Sequence, residues 1–249
     1  MRWSPHRTGL SIEDRLSVAR QAMVEQQLRG RGITDERVLA AMGSVPRERF
    51  VPDELEARAY DDDALPTAGG QSISQPYVVA WMTQLLELEH GDRVLEIGTG
   101  TGYQAAVLAT MGVHVRSIER LPDLAAAATR RLADLNLISD GTDKRAGGPG
   151  SVEVIVGDGS LGEPATAPHL RIVVTAGAPV VPAPLVEQLA DRGRLIVPVG
   201  PAGDQDMLVV VRRGPKVTET SVGRCAFVPL IGAAGFKVGG DPTRGNGPV

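Results

Sequence analysis

The chain has 249 residues, 42% of them hydrophobic, which is enough for one large domain or two small ones with a proper core. A formal net charge of −4 offers no electrostatic surface for nucleic acid. No apolar run reaches the roughly 18 residues of a membrane span. Cys225 is the single cysteine and can form neither an internal disulfide nor a cysteine metal cluster. We expect a cytoplasmic, monomeric protein with no nucleic-acid, membrane or metal partner.

Three segments are predicted along the chain. A leader spans residues 1–20 and is disordered at its start, a single domain spans 21–231, and a loose tail spans 232–249. The domain divides into an N-terminal helical and loop part over 21–90 and a core over 91–231.

Two helices are predicted before residue 45. Ser11 precedes acidic residues and is expected to cap the first helix, which ends at Gly30 or Gly32. The second helix begins near Asp35, and its apolar spacing predicts a buried face made of Val38, Leu39, Ala41 and Met42.

A polar, glycine-rich loop over 69–75 precedes a third helix, which begins with Pro76 in its first turn. Ser72 and Ser74 place hydroxyl groups in this loop, and Ser74 lies at or just before the helix N-terminus. A serine there can be a plain N-cap, worth about 1 kcal/mol. The same helix leads directly to the next motif, which favours a functional role for Ser74 instead.

The motif that organises the chain is a strand, three alternating glycines and the start of a helix. Val94–Ile97 is predicted to be a buried strand, followed by Gly98, Gly100 and Gly102 and then by a helix from Ala105. Glycine tolerates positive φ and lets a ligand approach the backbone, and a helix N-terminus offers unpaired N–H groups. This pattern predicts a nucleotide-binding corner.

The charge of the corner distinguishes between two nucleotide cofactors. A dinucleotide fingerprint would place its third glycine at position 103, which is Tyr103. Glu96 adds a carboxylate two residues before Gly98, and a carboxylate suits a ligand that carries an ammonium and a sulfonium and no phosphate. We therefore favour S-adenosylmethionine over NAD.

A second strand, from Val113 to Glu119, ends in a carboxylate that can accept both hydroxyls of a ribose. Further apolar strands alternate with helical segments, and two final strands are predicted to pair antiparallel. The alternation predicts an α/β fold: a doubly wound, mostly parallel Rossmann-like sheet with helices on both faces and an N-terminal helical segment. Ligand should bind beyond the carboxyl ends of the strands, where Asp158 and Thr175–Pro179 also fall.

At this point the motifs resemble, in the same order, those of the protein-L-isoaspartate O-methyltransferase family over roughly residues 21–231. The matching pieces are Val45–Glu48, Phe50–Pro52, Gly70–Tyr77, Val94–Gln104, Ser117–Arg120, Gly157–Gly159, Val174–Pro179 and Phe227–Leu230. The segment from Gly70 to Pro76 is specific to this family. The glycine corner alone indicates only the wider class I of S-adenosylmethionine-dependent methyltransferases.

The resemblance implies S-adenosyl-L-methionine as cofactor and isoaspartyl- or aspartyl-containing peptides and proteins as partners. It implies Ser74 as the catalytic serine that holds the substrate carboxylate, with Glu119 on the ribose and Asp158 on the adenine amino group. The complete set of cofactor-binding positions is Glu96, Gly98, Thr99, Gly100, Gly102, Glu119, Asp158 and Gly159. The substrate-binding positions are Ser72, Ile73 and Gln75.

The expected reaction is methylation of the free carboxylate of an L-isoaspartyl residue in a damaged protein or peptide. That carboxylate is already ionised at neutral pH, so catalysis should come mainly from orientation and desolvation rather than from a strong general base. The resemblance implies that the neighbouring amide nitrogen then displaces methanol to give a succinimide, which hydrolyses partly to normal aspartate.

The chain departs from the family pattern at a few positions. Leu170 stands where Asp is usual, Gly177 where Ala is frequent, Ser72 where Thr is common, and Thr67-Ala68 replaces a usual Ile-Gly. These changes leave cofactor binding credible and bear on the peptide substrate.

Three other functions stay open on the sequence. The first is a dedicated peptide-modifying aspartate O-methyltransferase that forms an aspartimide in a ribosomal peptide precursor. The second is an NAD-dependent oxidoreductase, disfavoured by Tyr103. The third is a catalytically silent binding module that keeps the cofactor pocket for structure.

Overall fold

The computed structural model of the chain describes residues 11–139, 150–237 and 239. The sequence also predicts a hydrophilic surface loop over 138–150. Most of this loop and the first ten residues of the predicted leader lie outside the described range. Among the residues that are described, no helix is both long and apolar enough to cross a membrane.

Six α-helices occur in the described part of the chain. They are α1 Ile12–Ala22, α2 Glu36–Ser44, α3 Pro76–Leu85, α4 Tyr103–Thr110, α5 Pro122–Asp134 and α6 Ala183–Glu187. The side chain of Ser11 caps α1 and shares a capping box with Asp14, as the sequence predicts. A π-helix, Met23–Leu28, and a 3-10 turn extend α1 as far as Gly32, whose φ of +95° ends the helical segment.

Within the described ranges, nine strands form two sheets. The strands are β1 Leu65–Pro66, β2 Ser72–Ile73, β3 Arg93–Ile97, β4 His114–Glu119, β5 Ser151–Val156, β6 His169–Val174, β7 Leu189–Val199, β8 Gln205–Arg213 and β9 Lys216–Cys225. β1 and β2 make a small antiparallel pair, and the other seven form one sheet in the order β5-β4-β3-β6-β7-β8-β9. The first five strands in this order, β5, β4, β3, β6 and β7, run parallel to one another. β8 and β9 are added at the end of the sheet and pair antiparallel.

Side chains of the large sheet alternate between two hydrophobic cores, because successive residues of a strand point to opposite faces. On β3, Val94 belongs to the core shared with α2, α3 and α4, whereas Leu95 and Ile97 belong to the core shared with Leu185 of α6. The predicted α/β fold with a mostly parallel sheet and helices on both faces is confirmed.

The segment after α2 fastens the N-terminal helices to the start of α4. Phe50 is fully buried and packs edge-on against Tyr103, with 5.4 Å between ring centroids. Arg47 is also fully buried; its Nε donates to the carbonyl of Ala59 at 2.7 Å, and its guanidinium lies 4.8 Å from the centroid of the Tyr103 ring. Tyr103 is therefore held from two sides.

The sequence also predicts a short helix over 184–189, and its end is wrong. The helix stops at Glu187, because the carbonyl of Gln188 accepts from His169 and Leu189 already pairs with β6 as the first residue of β7. The loose tail over 232–249 stays a prediction, because the structure describes only residues 232–237 and 239 of it.

Replacing Phe50 by alanine should lower the free energy of unfolding by about 3–5 kcal/mol, because a fully buried ring is lost and a cavity is left beside Tyr103. Urea unfolding followed by circular dichroism measures the change. The control is Val18→Ala, a side chain of α1 that is 57% exposed, for which a change within about 0.5 kcal/mol is expected. Equal unfolding midpoints for both variants would contradict the anchoring role of Phe50.

Candidate active site

One cleft lies at the carboxyl ends of β3, β4 and β6. The chain runs outward from β3 through β4 to β5 and then returns to place β6 on the other side of β3. Crevices at such a reversal of strand order are where open α/β sheets bind ligands. The cleft is closed by a C-terminal segment that the sequence analysis did not assign to the site, Val228, Pro229, Leu230 and Ile231.

The three glycines after β3 turn the chain into α4 with φ values that favour glycine: +96° at Gly98, +54° at Gly100 and +92° at Gly102. A Cβ atom on Gly98 would also lie 2.6 Å from Thr175 Oγ1, so the close approach of β6 requires glycine there. Gly98 and Gly100 line the cleft together with Thr99. Gly102 lies outside the lining and faces α5, where a Cβ would meet Leu132.

Glu119, the last residue of β4, is held by the glycine loop. Its Oε2 accepts the amide N–H of Gly100 at 2.9 Å, and its Oε1 accepts the amide of Leu121 at 3.0 Å. The carboxylate lines the cleft, and each of its oxygens keeps a second lone pair. The side chain can therefore accept two further hydrogen bonds from a ligand.

Glu96 lies beneath the glycine loop rather than in the cleft lining. The side chain is completely buried, Ser117 Oγ donates to its Oε2, and Thr99 Oγ1 lies 2.6 Å from the same Ser117 oxygen. Burial raises the pKa of Glu96 to about 8; the hydrogen bond from Ser117 opposes this shift and the charge of Glu119 adds to it. Oε1 of Glu96 has no hydrogen-bond partner within the described ranges.

Gln104, in the first turn of α4, also lines the cleft and was not predicted as a site residue. The Thr83 hydroxyl donates its proton to the carbonyl of Val79, so its oxygen must accept from Gln104 Nε2, which lies 2.8 Å away. These two hydrogen bonds assign the nitrogen and the oxygen of the Gln104 side-chain amide. Oε1 of Gln104 is then left as a buried acceptor with no partner in the part of the chain that the structure describes.

The loop before α3 supplies the opposite wall. Ser72, Ile73 and Ser74 line the cleft, and the pairing of β1 with β2 fixes the backbone of this loop. Gln75 does not reach the lining, because its Nε2 donates to the carbonyl of Asp62 at 2.9 Å.

Ser74 is not the N-cap of α3. Gln75 occupies the N-cap position, and no side chain caps the helix. The Ser74 hydroxyl is half-buried and makes no hydrogen bond to any described residue. The plain-cap interpretation of this serine is therefore wrong, and its hydroxyl is available at the cleft.

Asp158 and Gly159 follow β5, but only Gly159 lines the cleft. Gly159 lines the cleft, and a Cβ there would lie 2.6 Å from Ile97 Cγ2. Asp158 lies outside the lining: its carboxylate accepts from the amide and hydroxyl of Ser160 and, at 2.7 Å, from the amide of Ala233. Burial raises the pKa of Asp158, but these hydrogen bonds outweigh that effect and hold the pKa below its usual value.

The two departures on and after β6 affect different regions. Leu170 is 50% exposed near the amino end of β6, away from the cleft. Gly177 exchanges backbone hydrogen bonds with Val228 and Leu230, so it helps to hold the C-terminal wall of the cleft. A Cβ at position 177 would lie 2.6 Å from Gln205 Nε2, which explains why glycine fits here beside this glutamine.

Comparison with known proteins identifies this arrangement. The sequence model of the family described as protein-L-isoaspartate(D-aspartate) O-methyltransferase matches residues 18–235. The protein-L-isoaspartate O-methyltransferase of Methanoculleus marisnigri is 52% identical over 218 residues, which cover 88% of this chain and 94% of the relative. Protein-L-isoaspartate O-methyltransferase 2 of Pelobacter propionicus is 51% identical over 219 residues, covering 87% and 92%.

A solved structure named protein-L-isoaspartate O-methyltransferase superimposes with a TM-score of 0.71 at 27% identity, and the match covers 86% of this chain and 67% of that one. The family match reaches from the N-terminal helices to the C-terminal wall of the cleft. The predicted family and the predicted methyltransferase class are confirmed: this chain belongs to the protein-L-isoaspartate(D-aspartate) O-methyltransferase family.

Proposed function

We propose that the chain transfers the methyl group of S-adenosylmethionine to the free carboxylate of L-isoaspartyl residues in damaged proteins and peptides, which starts their repair. The observation that supports this most is the placement of an unpaired hydroxyl, Ser74, opposite the glycine loop and Glu119 in one cleft. Dedicated modification of a peptide precursor is not favoured, because relatives that are about 50% identical to this chain are named protein-L-isoaspartate O-methyltransferases. The monomeric state and the cytoplasmic location stay predictions.

The charge of the cleft fits a cationic cofactor. Gln104 Oε1 is a buried acceptor at the glycine corner and has no hydrogen-bond partner among the described residues. The amide of Gly100, which could bind phosphate, is already engaged by the carboxylate of Glu119. An ammonium group suits the Gln104 acceptor and the Glu119 carboxylate, whereas a pyrophosphate would be repelled by that carboxylate.

Within this proposal each wall of the cleft holds one part of the cofactor. Gly98, Thr99 and Gly100 would contact the methionine end, and Glu119 would accept the ribose hydroxyls. Gly159 would let the adenine ring pack against the carboxyl end of β5. The role of Asp158 on the adenine amino group stays a prediction, because its carboxylate is turned toward Ser160 and Ala233.

The substrate side of the reaction needs orientation more than proton transfer. Held by Gly98, Thr99, Gly100 and Glu119, S-adenosylmethionine would supply an electrophilic methyl group, and an oxygen of the ionised substrate carboxylate would be its acceptor. Ser74 would donate a hydrogen bond to the other carboxylate oxygen and so fix its direction. Ser72 and Ile73 would position the neighbouring peptide atoms and exclude water from the reacting oxygen.

The assay that tests the function is methyl incorporation from labelled cofactor into matched isoaspartyl and aspartyl peptides. We expect incorporation into the isoaspartyl peptide only. Ser74→Ala should lower turnover by roughly 10- to 100-fold, the loss of one hydrogen bond to a charged group, with cofactor affinity nearly unchanged. Ser44→Ala, an exposed serine at the end of α2, is the control.

If the Ser74→Ala variant turned over as fast as the parent, Ser74 would have no role in the mechanism. Preferential methylation of the aspartyl peptide would instead support the dedicated-peptide alternative, and methylation of neither peptide would support a silent binding module.

Glu119→Ala should weaken cofactor binding by about 1–3 kcal/mol, because the ribose hydroxyls lose a charged acceptor and the amide of Gly100 loses its partner. Isothermal calorimetry measures the change in dissociation constant. Glu187→Ala, an exposed carboxylate of α6, should bind the cofactor like the parent. An unchanged affinity in the Glu119 variant would contradict the ribose assignment.

Cofactor binding should release a proton near neutral pH through Glu96. Its pKa of about 8 keeps this buried acid protonated in the free protein, and a cation bound at the glycine corner favours the carboxylate. Affinity should therefore rise with pH up to about pH 8, with proton release visible in calorimetry in buffers of different ionisation enthalpy. Glu96→Gln, which keeps the shape of the side chain, should lose this part of the pH dependence. Identical proton release in both proteins would assign it to another group.

A further inference from the structure

The substrate residue belongs to a polypeptide, so the chain on either side of it must leave the cleft and cover part of the rim. Three side chains that lie near Ser74 along the chain, or contact the helix that follows it, form a row, which we name the aromatic strip: Arg31, Tyr77 and Trp81. The guanidinium of Arg31 lies 3.8 Å from the centroid of the Tyr77 ring, and the Tyr77 and Trp81 rings stack with centroids 6.1 Å apart and planes 20° apart.

The aromatic strip begins beside the loop that carries Ser74. Tyr77 follows Ser74 by three residues and Trp81 lies one turn further along α3, and both are half-buried. Val79, which lines the cleft, lies on the other side of the same helix. At its far end the strip meets β9, where Trp81 Cη2 would lie 3.0 Å from a Cβ on Gly223. The chain runs on from β9 into the C-terminal wall of the cleft, so the strip joins both walls.

The rings of the aromatic strip are already fixed in place. Arg31 donates to Asp62 at 2.7 Å while it covers Tyr77, and Gln75 Nε2 holds the carbonyl of the same aspartate. Since Asp62 balances the charge of Arg31, the strip offers π faces and apolar edges rather than a free charge. A rigid aromatic surface binds apolar or aromatic side chains at little entropic cost.

Resting on the proposed function, we propose that the aromatic strip is a docking surface for residues that flank the isoaspartyl residue of the substrate polypeptide. Trp81 follows Ser74 by seven positions, which corresponds to about 10 Å along the direction of α3, whereas an extended peptide advances about 3.3 Å per residue. The strip therefore selects an apolar or aromatic side chain about three residues from the isoaspartyl residue.

Steady-state kinetics with two kinds of substrate tests the docking surface. One is an isoaspartyl peptide of about nine residues with phenylalanine three residues away, made in two versions with the aromatic on either side; the other is an isoaspartyl tripeptide. Trp81→Ala should raise KM roughly five- to twentyfold for one long peptide, with kcat unchanged, and should leave KM for the tripeptide within about twofold. Trp81→Phe, which keeps an aromatic ring, should have a KM for the long peptide close to that of the parent.

The matched control for these kinetics is Val180→Ala, an apolar side chain that is 56% exposed after β6 and lies outside the aromatic strip. It should change neither KM. An equal rise in KM for long and short peptides in the Trp81→Ala variant, or the same rise in the Val180→Ala variant, would overturn the docking surface.

A direct binding measurement uses the two tryptophans of the chain, Trp3 and Trp81. In a Trp3→Phe variant the indole emission reports Trp81 alone. With S-adenosylhomocysteine present to prevent turnover, the long peptide should shift this emission saturably and the tripeptide should not.

Unchanged emission at a peptide concentration that saturates methylation would overturn the proposal while leaving the proposed function intact. Loss of methylation of every isoaspartyl peptide by the parent would instead contradict the proposed function. If the emission of Trp81 changed with protein concentration in the absence of peptide, and light scattering showed a dimer, a second copy of the chain would occupy the aromatic strip. That result would also overturn the proposal.

Discussion

The hydrogen bond between the amide of Gly100 and the carboxylate of Glu119 is the contact on which the geometry of the cleft depends. It ties the turn after β3 to the end of β4, and the positive φ values of the glycines make that turn possible. With the turn fixed, α4 begins at Tyr103 and places Gln104 in the cleft. Because the same carboxylate occupies a backbone amide and adds negative charge, the corner is built for a cation and not for a phosphate.

A second acidic side chain, Glu96, is buried beneath this corner and has a raised pKa. Its burial would destabilise the charged form in the free protein, and a bound cation would offset that cost, so cofactor binding and the protonation of Glu96 are linked. The hydrogen bonds through Ser117 to Thr99 connect this buried acid to a residue of the cleft lining.

The substrate wall is organised by different contacts. The small pair of strands before α3 holds the loop that carries Ser74, and the aromatic strip extends the surface of α3 toward β9. Gly177 and Gln205 hold the opposite wall: Gln205 Oε1 accepts from the amide of Phe227, and the backbone of Gly177 pairs with the next residues. In the proposed function, cofactor and polypeptide would meet between the glycine corner and two walls supported from outside the nucleotide-binding core.

The sequence by itself determined the α/β fold class and the strand–glycine–helix corner, because periodicity and glycine spacing act over short stretches of chain. The family followed from the resemblance of motifs that occur in the same order along the chain. Only the tertiary structure decided that Ser74 is not a helix cap, since the exact start of α3 depends on how the preceding loop packs. It also decided the free acceptor of Gln104, fixed by a residue 21 positions away, and the engagement of Asp158 by an amide 75 positions away. Such contacts join residues that are distant along the chain, and no local pattern records which of them will meet.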